Sequence, residues 1–295
     1  MAIWPGIKAG LIPPVRSDDM REDTIVARLG AVWQAGKPIL RKSFNFFSSI
    51  GVAISYQIAV FYIMKVAFIS GTSIVNSSLF ASWEIKAIDT PYGSVTYKTK
   101  GDFVLINRHG YSFPLPPHAI NYRANIRGLA DLGYTDIVSL NSVGSLKKDL
   151  PPGTLVSCSD YVGLQQGPAT FYDKELKGGV AGIANNLIPL LITKLSPEFT
   201  IHTGKVYVQM KGPRFETKAE IKIIQQWGDV VGMTAAHEAD LCGEIGLHYN
   251  SFAIIDNYAN GLEGTEIDFG NFKDAVKSNQ LLVNRLFERI LEILA

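Results

Sequence analysis

The pattern of apolar and polar positions changes after residue 63. Beyond it, short apolar runs such as Lys65–Ser70 (KVAFIS) and Phe103–Asn107 (FVLIN) end in small or polar residues, as buried strands do. Residues 1–63 show no sustained period before the uncharged, mostly apolar run 46–63 (FFSSIGVAISYQIAVFYI). We therefore predict one domain over residues 64–295, preceded by an N-terminal extension.

The apolar run 46–63 has three interpretations. It is near the lower length limit for a membrane span, roughly 17–20 residues, so it could be a signal-anchor helix. It could also be a helix docked on the body, or lie upstream of the true start, since Met64 directly precedes the first clear strand. It lies too deep in the chain for an ordinary cleaved signal peptide. We favour an accessory or non-native extension and disfavour membrane contact.

Beyond residue 64, predicted strands alternate with predicted helices. The strands are Lys65–Ser70, Phe103–Asn107, Ile137–Asn141, Lys205–Met210, Val230–Met233 and Phe252–Asp256; the helices are Tyr122–Leu132, a segment from Gly212 through Trp227, Ala235–Ile245 and Phe272–Ala295. This alternation is typical of an α/β sheet with helices on both faces. In such folds ligand-binding groups gather at the carboxyl ends of the strands.

Composition and charge narrow the possible partners. The chain is 47% hydrophobic and 19% charged with a formal net charge of +1, and no basic block appears, which argues against a nucleic-acid partner. The two cysteines, Cys158 and Cys242, are far apart and lack a metal-type partner pair. We interpret both as small buried hydrophobes in a reducing, cytoplasmic protein, and we predict no metal site.

Two strand ends carry groups suited to an oxyanion. The segment Gly71-Thr72-Ser73 offers backbone N–H groups and hydroxyls, although such residues more often form a simple turn. It lacks the lysine of a P-loop and a full GxGxxG, so neither a nucleoside triphosphate nor NAD is supported. Arg108-His109-Gly110 offers a guanidinium and an imidazole as a second donor. An Arg–carboxylate pair with a core histidine is an equally good interpretation of that motif.

Further polar residues follow other strands. Asn141 and Ser142 supply amide, hydroxyl and backbone donors, and Thr234 supplies another hydroxyl, although each alone is more often part of a turn or cap. Phe215 could stack on a flat heterocycle, while Glu216 and Asn257 could hydrogen-bond to it. From the pattern alone, a glutamate in the first turn of a helix is the more common explanation of Glu216.

Several sequence blocks, taken together and in order, resemble the purine nucleoside phosphorylase and methylthioadenosine phosphorylase family. They are RHG (108–110), NYRANIRGLADLG (121–133), NSVGSL (141–146), PPG (151–153), KGPRFETKAEI (211–221) and VVGMTAAHEADL (230–241). The resemblance implies a single α/β domain with a central twisted mixed β-sheet flanked by helices, usually assembled as a trimer. It also implies phosphorolysis with phosphate as co-substrate and no metal or redox cofactor.

The resemblance carries roles over to particular positions. Asn141 stands where the family often has a threonine in the phosphate site. The other positions that match that site are Thr72, Arg108, His109, Ser142 and Thr234. Met233 matches the family residue that packs under the ribose, Phe215 matches the one that lines the base pocket, and Asn257 matches the one that contacts purine N7. We assign catalytic roles to Asn257, Glu216 and His109.

Base preference follows from the trio Glu216, Asn257 and Ala259. The adenine-specific branch of the family carries Asp at the second and third of these positions and no acid at the first. A carboxylate at Glu216 accepts the N1–H of hypoxanthine or guanine but opposes the N1 lone pair of adenine. The Asn257 amide can donate to O6 and N7. The trio therefore predicts a 6-oxopurine.

The sequence departs from the family pattern at three places. Phe113 replaces a common histidine, and His237 replaces a proline. No histidine follows His248, so the residue that contacts a 5′-hydroxyl in mammalian-type enzymes has no match. This loss favours an apolar 5′ group, which makes S-methyl-5′-thioinosine a candidate substrate beside inosine and guanosine.

We therefore predict a purine nucleoside phosphorylase that forms free base and (methylthio)ribose 1-phosphate. Within enzymes, the alternatives are an adenine-specific S-methyl-5′-thioadenosine phosphorylase and a hydrolase that uses water. A rival from another class is a non-catalytic nucleoside-binding or membrane-tethered module, with residues 46–63 as the anchor.

Overall fold

The computed structural model describes residues 65–74, 77–111, 114–164, 169–179 and 182–295. The extension 1–63 and its apolar run 46–63 therefore lie outside the described residues. The strands are β1 Val66–Ser70, β2 Glu84–Thr90, β3 Gly93–Lys100, β4 Phe103–Asn107, β5 Asp136–Ser145, β6 Leu155–Val162, β7 Ile201–Gln209, β8 Val230–Gly232 and β9 His248–Tyr258. The helices are α1 Tyr122–Asp131, α2 Ile188–Leu195, α3 Lys218–Ile224, α4 Ala235–Ile245, α5 Phe269–Ser278 and α6 Gln280–Leu294.

The strands form one mixed sheet in the order β2-β3-β4-β1-β5-β8-β7-β6-β9, and β9 also pairs with β5. The five strands β5, β8, β7, β6 and β9 therefore close on themselves, while β2, β3, β4 and β1 extend from them as an open sheet. Strands β4, β1, β5 and β9 are parallel neighbours, so their carboxyl ends lie along the same edge. The prediction of a mixed sheet flanked by helices is confirmed; the closure was not foreseen.

The sheet is covered on two faces, as strand β1 illustrates. Ala67 and Ile69 face one core, which α1 and α4 complete, whereas Val66 and Phe68 face a second core, which α2 and α6 complete. Side chains alternate along a strand, so a strand buried on both faces needs apolar residues at every position. This explains why the strand reads as a continuous apolar run in the sequence.

Two of the predicted helices differ from the structure. Phe272–Ala295 is not a single helix: α5 ends at Ser278, α6 begins at Gln280, and Asn279 lies between them. The Asn279 amide donates to Ile255 O and to Asp256 Oδ1. The helix predicted to open at Gly212 begins only at Lys218 and ends at Ile224.

The sequence analysis missed three strands and one helix. Hairpin β2–β3 is exposed at most positions of β2, so it lacks the apolar run that identifies a buried strand. Strand β6 and helix α2 were also missed. In contrast, α4 spans the predicted Ala235–Ile245, and α1 ends one residue before the predicted limit.

The described residues bear on two predictions, one on membrane contact and one on the cysteines. Within them, every helix falls short of the length and apolar character needed to cross a bilayer. Cys158 and Cys242 are both free and buried in the core beside α4, as predicted, and burial raises the pKa of the Cys158 thiol to about 12.

The start of helix α4 is held by a buried tyrosine. The Tyr207 hydroxyl accepts hydrogen bonds from the backbone N–H groups of Thr234 (3.1 Å) and Ala235 (3.4 Å). A Cβ added at Gly232 would lie 2.3 Å from this hydroxyl oxygen, so only glycine leaves room for it. Gly232 and Tyr207 together fix where the segment Met233–Thr234 runs.

We expect Gly232→Ala to lower the free energy of unfolding by about 2 kcal/mol, because Tyr207 must move and the first N–H groups of α4 lose their acceptor. Gly243→Ala is the matched control. Gly243 lies inside α4 with open space around its Cα, so alanine there should stabilise the protein by about 0.5–1 kcal/mol. Urea unfolding measures both changes. Equal effects of the two substitutions would contradict the role of Gly232.

Candidate functional site

Arg108 is the most strongly held polar residue at the common strand edge. It directly follows β4 and is only 3% exposed. Its Nε and Nη2 donate to Oε1 and Oε2 of Glu238 at 2.7 and 3.1 Å, and further hydrogens go to Ser139 Oγ and Leu140 O. Burial acts to lower the pKa of Arg108, but Glu238 holds it above its ordinary value. The Arg–carboxylate pair is thus present, whereas His109 is only half-buried and is not a core residue.

Arg108 also faces the turn that follows β1. A Cβ added at Gly71 would lie 2.9 Å from Arg108 Nη1 and 2.8 Å from His109 Cδ2. The guanidinium and the imidazole therefore approach the same backbone turn, which carries the partly exposed Thr72. A glycine is required here because any side chain would collide with both groups.

The protonation of His109 follows from its hydrogen bonds. Its Nδ1 lies 2.7 Å from Leu115 O, which can only accept, so Nδ1 carries the hydrogen. Desolvation lowers the pKa of His109, which favours the neutral ring. Its Nε2, directed at Gly71, is then a hydrogen-bond acceptor. The motif predicts a second donor at this position. The Nδ1–H already donates to Leu115 O, so the remaining ring nitrogen is an acceptor.

Two side-chain hydrogen bonds complete the polar edge. Ser73 Oγ and Ser142 Oγ are 2.8 Å apart, which links the turn after β1 to β5. Thr234 Oγ1 donates to Asn141 Oδ1 at 3.3 Å, which links the start of α4 to the same strand. Asn141 is buried, and its amide hydrogens face protein oxygens of Ser139, Tyr249 and Phe252.

Two of the predicted base-binding residues, Phe215 and Glu216, lie in the loop before α3. The Phe215 ring packs against Phe272 of α5, with centroids 5.5 Å apart. Glu216 is buried, and desolvation raises the pKa of its carboxyl. It is not a first-turn glutamate: Thr217 is the N-cap of α3, and Glu220 completes the capping box. Glu216 is therefore free for another role.

The remaining predicted residues lie around Gly144 and Gly212. Asn257 Nδ2 donates to Tyr258 O at 2.8 Å and would lie 3.3 Å from a Cβ added at Gly144. Ala259 is buried in the small core cluster against α3. Met233 Sδ would lie 2.6 Å from a Cβ added at Gly212, so the thioether covers that glycine.

The structure identifies three contributors that the sequence analysis missed. Glu238 and Tyr249 hold Arg108: the Tyr249 hydroxyl donates to Glu238 Oε2 at 2.7 Å. Asp256, beside Asn257, is a buried carboxyl. A glutamate among alanines in the motif AAHEADL was a usable signal for Glu238, because an acid on a buried helix face needs a cation. The sequence around Tyr249 and around Asp256 contains no comparable signal.

The three departures from the family pattern lie in different places. Phe113 falls outside the described residues. His237 stacks on Tyr122 with ring centroids 4.7 Å apart, and its buried Nδ1 makes no hydrogen bond within the described chain. His248 begins β9 and contacts Asp136 at the start of β5, so it lies at the opposite edge of the sheet.

Within the described ranges, no group of three or more His, Cys, Asp or Glu side chains is placed to hold a metal ion. The edge presents a fixed guanidinium, a neutral imidazole and hydroxyls on one side. On the other side are a carboxyl, an amide and an aromatic pair. Such an arrangement can bind an oxyanion beside a flat polar heterocycle.

Comparison with known proteins gives one family. The model of the phosphorylase superfamily matches residues 65–292. A probable 6-oxopurine nucleoside phosphorylase from Archaeoglobus fulgidus is 35% identical over 221 residues, 72% of this chain and 90% of the relative. A probable S-methyl-5′-thioinosine phosphorylase from Methanocaldococcus jannaschii is 37% identical over 237 residues, 77% of this chain and 86% of the relative. The solved methylthioadenosine phosphorylase of Schistosoma mansoni in complex with adenine superposes with a TM-score of 0.67 at 27% identity, covering 78% and 91% of the two chains.

We expect Glu238→Gln to lower the free energy of unfolding by about 3 kcal/mol, because the Arg108 charge stays buried without a counter-charge. The double variant Arg108→Met with Glu238→Gln should recover much of that loss, since no unpaired charge remains. Asp131→Asn, which breaks the exposed Arg127–Asp131 pair on α1, is the control and should cost less than about 0.5 kcal/mol. Denaturant unfolding measures all three. If Glu238→Gln lowered the free energy of unfolding as little as the control does, Glu238 would not be the counter-charge that stabilises buried Arg108.

Proposed function

Because the chain belongs to the phosphorylase superfamily, we propose that it splits 6-oxopurine nucleosides with phosphate, releasing the free base and a sugar 1-phosphate. The observation that carries the proposal is the common approach of Arg108 and His109 to the Gly71 turn. It lies on the same sheet edge as Asn257, so both halves of a nucleoside-and-phosphate site are present. The names of the two archaeal relatives support the same reaction class.

The phosphate would be bound at the turn after β1. Arg108 Nη1 faces this turn and supplies a fixed positive charge, while Thr72 and Ser142 supply hydroxyls. The neutral His109 would accept the hydrogen of hydrogen phosphate through Nε2. Because Glu238 and Ser139 hold the guanidinium, little reorganisation accompanies binding, and the nucleophile is positioned beneath the sugar C1′.

The leaving base would be bound between the loop before α3 and the end of β9. As the glycosidic bond breaks, negative charge develops on the purine. The Asn257 amide, which gives one hydrogen to Tyr258 O, would donate its other hydrogen between N7 and O6. The Glu216 carboxylate would accept N1–H, with Phe215 against the ring. Donors aimed at developing charge typically contribute a few kcal/mol each to lowering the barrier.

The group on the sugar 5′ carbon decides between inosine or guanosine and S-methyl-5′-thioinosine. His248 is at the opposite edge of the sheet and cannot contact a sugar at this site. We therefore keep both substrates in the proposal. The name of the Methanocaldococcus relative supports the methylthio form, and that of the Archaeoglobus relative the unsubstituted one.

Adenine nucleosides are the second candidate substrates, because the solved Schistosoma protein binds adenine. Glu216 argues against them: a buried carboxylate facing the N1 lone pair of adenine is a repulsive contact. We further propose that residues 64–295 form the working domain, that the enzyme is a cytoplasmic homotrimer, and that it uses no cofactor besides phosphate.

The reaction itself is the first test. Both the full chain and a chain beginning at Met64 should release hypoxanthine from inosine or from S-methyl-5′-thioinosine only when phosphate is added, because every residue of the proposed site follows Met64. Adenosine and S-methyl-5′-thioadenosine are assayed in the same way, which gives a panel of four substrates. Release without phosphate would identify a hydrolase, and binding without release a non-catalytic module. An inactive or insoluble shortened chain would place residues 1–63 within the working domain.

Base preference is the second test. Asn257→Asp should shift the kcat/KM ratio of inosine to adenosine toward adenosine by about one to two decades. A protonated carboxyl can donate to N7 while its other oxygen accepts from the 6-amino group but opposes O6, a mismatch of about 1–3 kcal/mol. Adding Glu216→Gln should extend the shift. Asn271→Asp, the same change at an exposed position of α5, is the control and should leave the ratio unaltered. A wild-type preference for adenosine would overturn the assignment of both residues.

A further inference from the structure

Asp256 is the extra residue of a β-bulge beside the proposed site. Across the β5–β9 pairing, Ile255 lies opposite Val143 and Asn257 lies opposite Gly144, so two steps along β9 match one step along β5. Bulges redirect side chains and are common beside active sites. Here the bulge removes Asp256 from the regular alternation and directs its carboxyl away from the strand pairing.

The Asp256 carboxyl is buried, and within the described chain only one of its two oxygens accepts a hydrogen bond. The residue is 3% exposed, and Oδ1 accepts a hydrogen bond from Asn279 Nδ2 at 2.8 Å. Oδ2 is buried and has no hydrogen-bond partner within the described chain. A buried carboxylate oxygen without a donor is costly, whereas a protonated carboxyl carries a hydrogen of its own. Burial accordingly raises the pKa of Asp256 to about 6. The hydrogen bond from Asn279 and the nearby Ser142 hydroxyl, which makes no regular hydrogen bond to Oδ2, act in the opposite direction and favour the ionised form.

Ser142 is the group through which this carboxyl can reach the phosphate. Its Oγ lies 2.8 Å from Ser73 Oγ in the turn after β1. A serine hydroxyl has a single hydrogen to donate. If an ionised carboxylate takes that hydrogen, Ser142 has none left for a phosphate oxygen.

Resting on the proposed function, we propose that Asp256 is a positioning residue for phosphate. In its neutral form Oδ2–H donates to Ser142 Oγ, which directs the Ser142 hydrogen to a phosphate oxygen. In its ionised form the carboxylate takes the Ser142 hydrogen, and this hydrogen bond to phosphate is lost. The only covalent bond that forms is the O–H bond of the carboxyl: when phosphate binds at a pH above the pKa of Asp256, the carboxylate takes up one proton from solvent.

The surroundings of Asp256 support such coupling. The groups that face it are neutral: Ser142 from β5, with Ser73 behind it, and Asn279 from the junction of α5 and α6. No ion pair to Asp256 is formed among the described residues. A phosphate anion bound at Ser142 would therefore be the dominant nearby charge, and like charges raise the pKa of a carboxyl. Binding of phosphate and protonation of Asp256 then favour each other.

The test compares phosphate binding with and without the Ser142 hydroxyl at two pH values. Calorimetric titration of inorganic phosphate into the full chain gives Kd for wild type and Ser142→Ala at pH 5 and pH 9. At each pH the Kd of Ser142→Ala is divided by that of wild type, because the ionisation of phosphate affects both values equally. We expect Ser142→Ala to weaken binding about tenfold at pH 5, where Asp256 is neutral, and by less than about twofold at pH 9.

A second pair of variants isolates Asp256. The amide introduced by Asp256→Asn donates at every pH, so in that background Ser142→Ala should weaken phosphate binding about tenfold at both pH values. Ser278→Ala, an exposed serine on α5, is the control and should change nothing. A Ser142→Ala effect in wild type that is equal at pH 5 and pH 9 would overturn the proposal, even if Asp256→Asn did not fold.

Because no nucleoside is present, the outcome is independent of turnover. Failure of phosphorolysis in the substrate panel would show as absent base release. Failure of the Asp256 proposal would show as a Ser142→Ala effect that does not depend on pH.

Discussion

The buried ion pair between Arg108 and Glu238 is the interaction on which the site depends. It joins the end of β4 to the first turn of α4, two elements far apart in sequence, and both partners are almost completely removed from solvent. Taking two charges out of water is costly unless each lone pair and hydrogen is matched. Ser139, Leu140 and Tyr249 supply those matches, so the polar network is nearly complete before any ligand binds.

Closure of β5, β8, β7, β6 and β9 explains how so many groups reach one edge. Strand β5 pairs with β1, β8 and β9, and it is therefore shared by the open and the closed part of the sheet. Residues at its carboxyl end, from Asn141 to Gly144, contact the turn after β1, the start of α4 and the end of β9. A single strand thus determines the relative positions of the proposed phosphate and base groups.

The apolar pattern of the sequence predicts the buried strands, but it does not predict the polar contacts between elements. Runs such as the one in β1 are apolar because both faces are covered, and they predict the strand directly. The exposed hairpin β2–β3 has no such pattern. The Asn279 side chain, between α5 and α6, donates to Asp256 on another element, and the role of Glu238 depends on Arg108, 130 residues away. Pairings of this kind are properties of the folded chain and leave little local trace.

The Leu115 carbonyl has a consequence for the choice of anion. By holding the hydrogen of the His109 ring on Nδ1, it leaves a lone pair on Nε2 at the proposed phosphate position. An anion that still carries a hydrogen can donate to that lone pair, whereas a fully deprotonated one presents only oxygen lone pairs and is repelled. Hydrogen phosphate at neutral pH is of the first kind and sulfate of the second. One backbone oxygen thus gives the turn a means of telling apart two tetrahedral anions of nearly equal size.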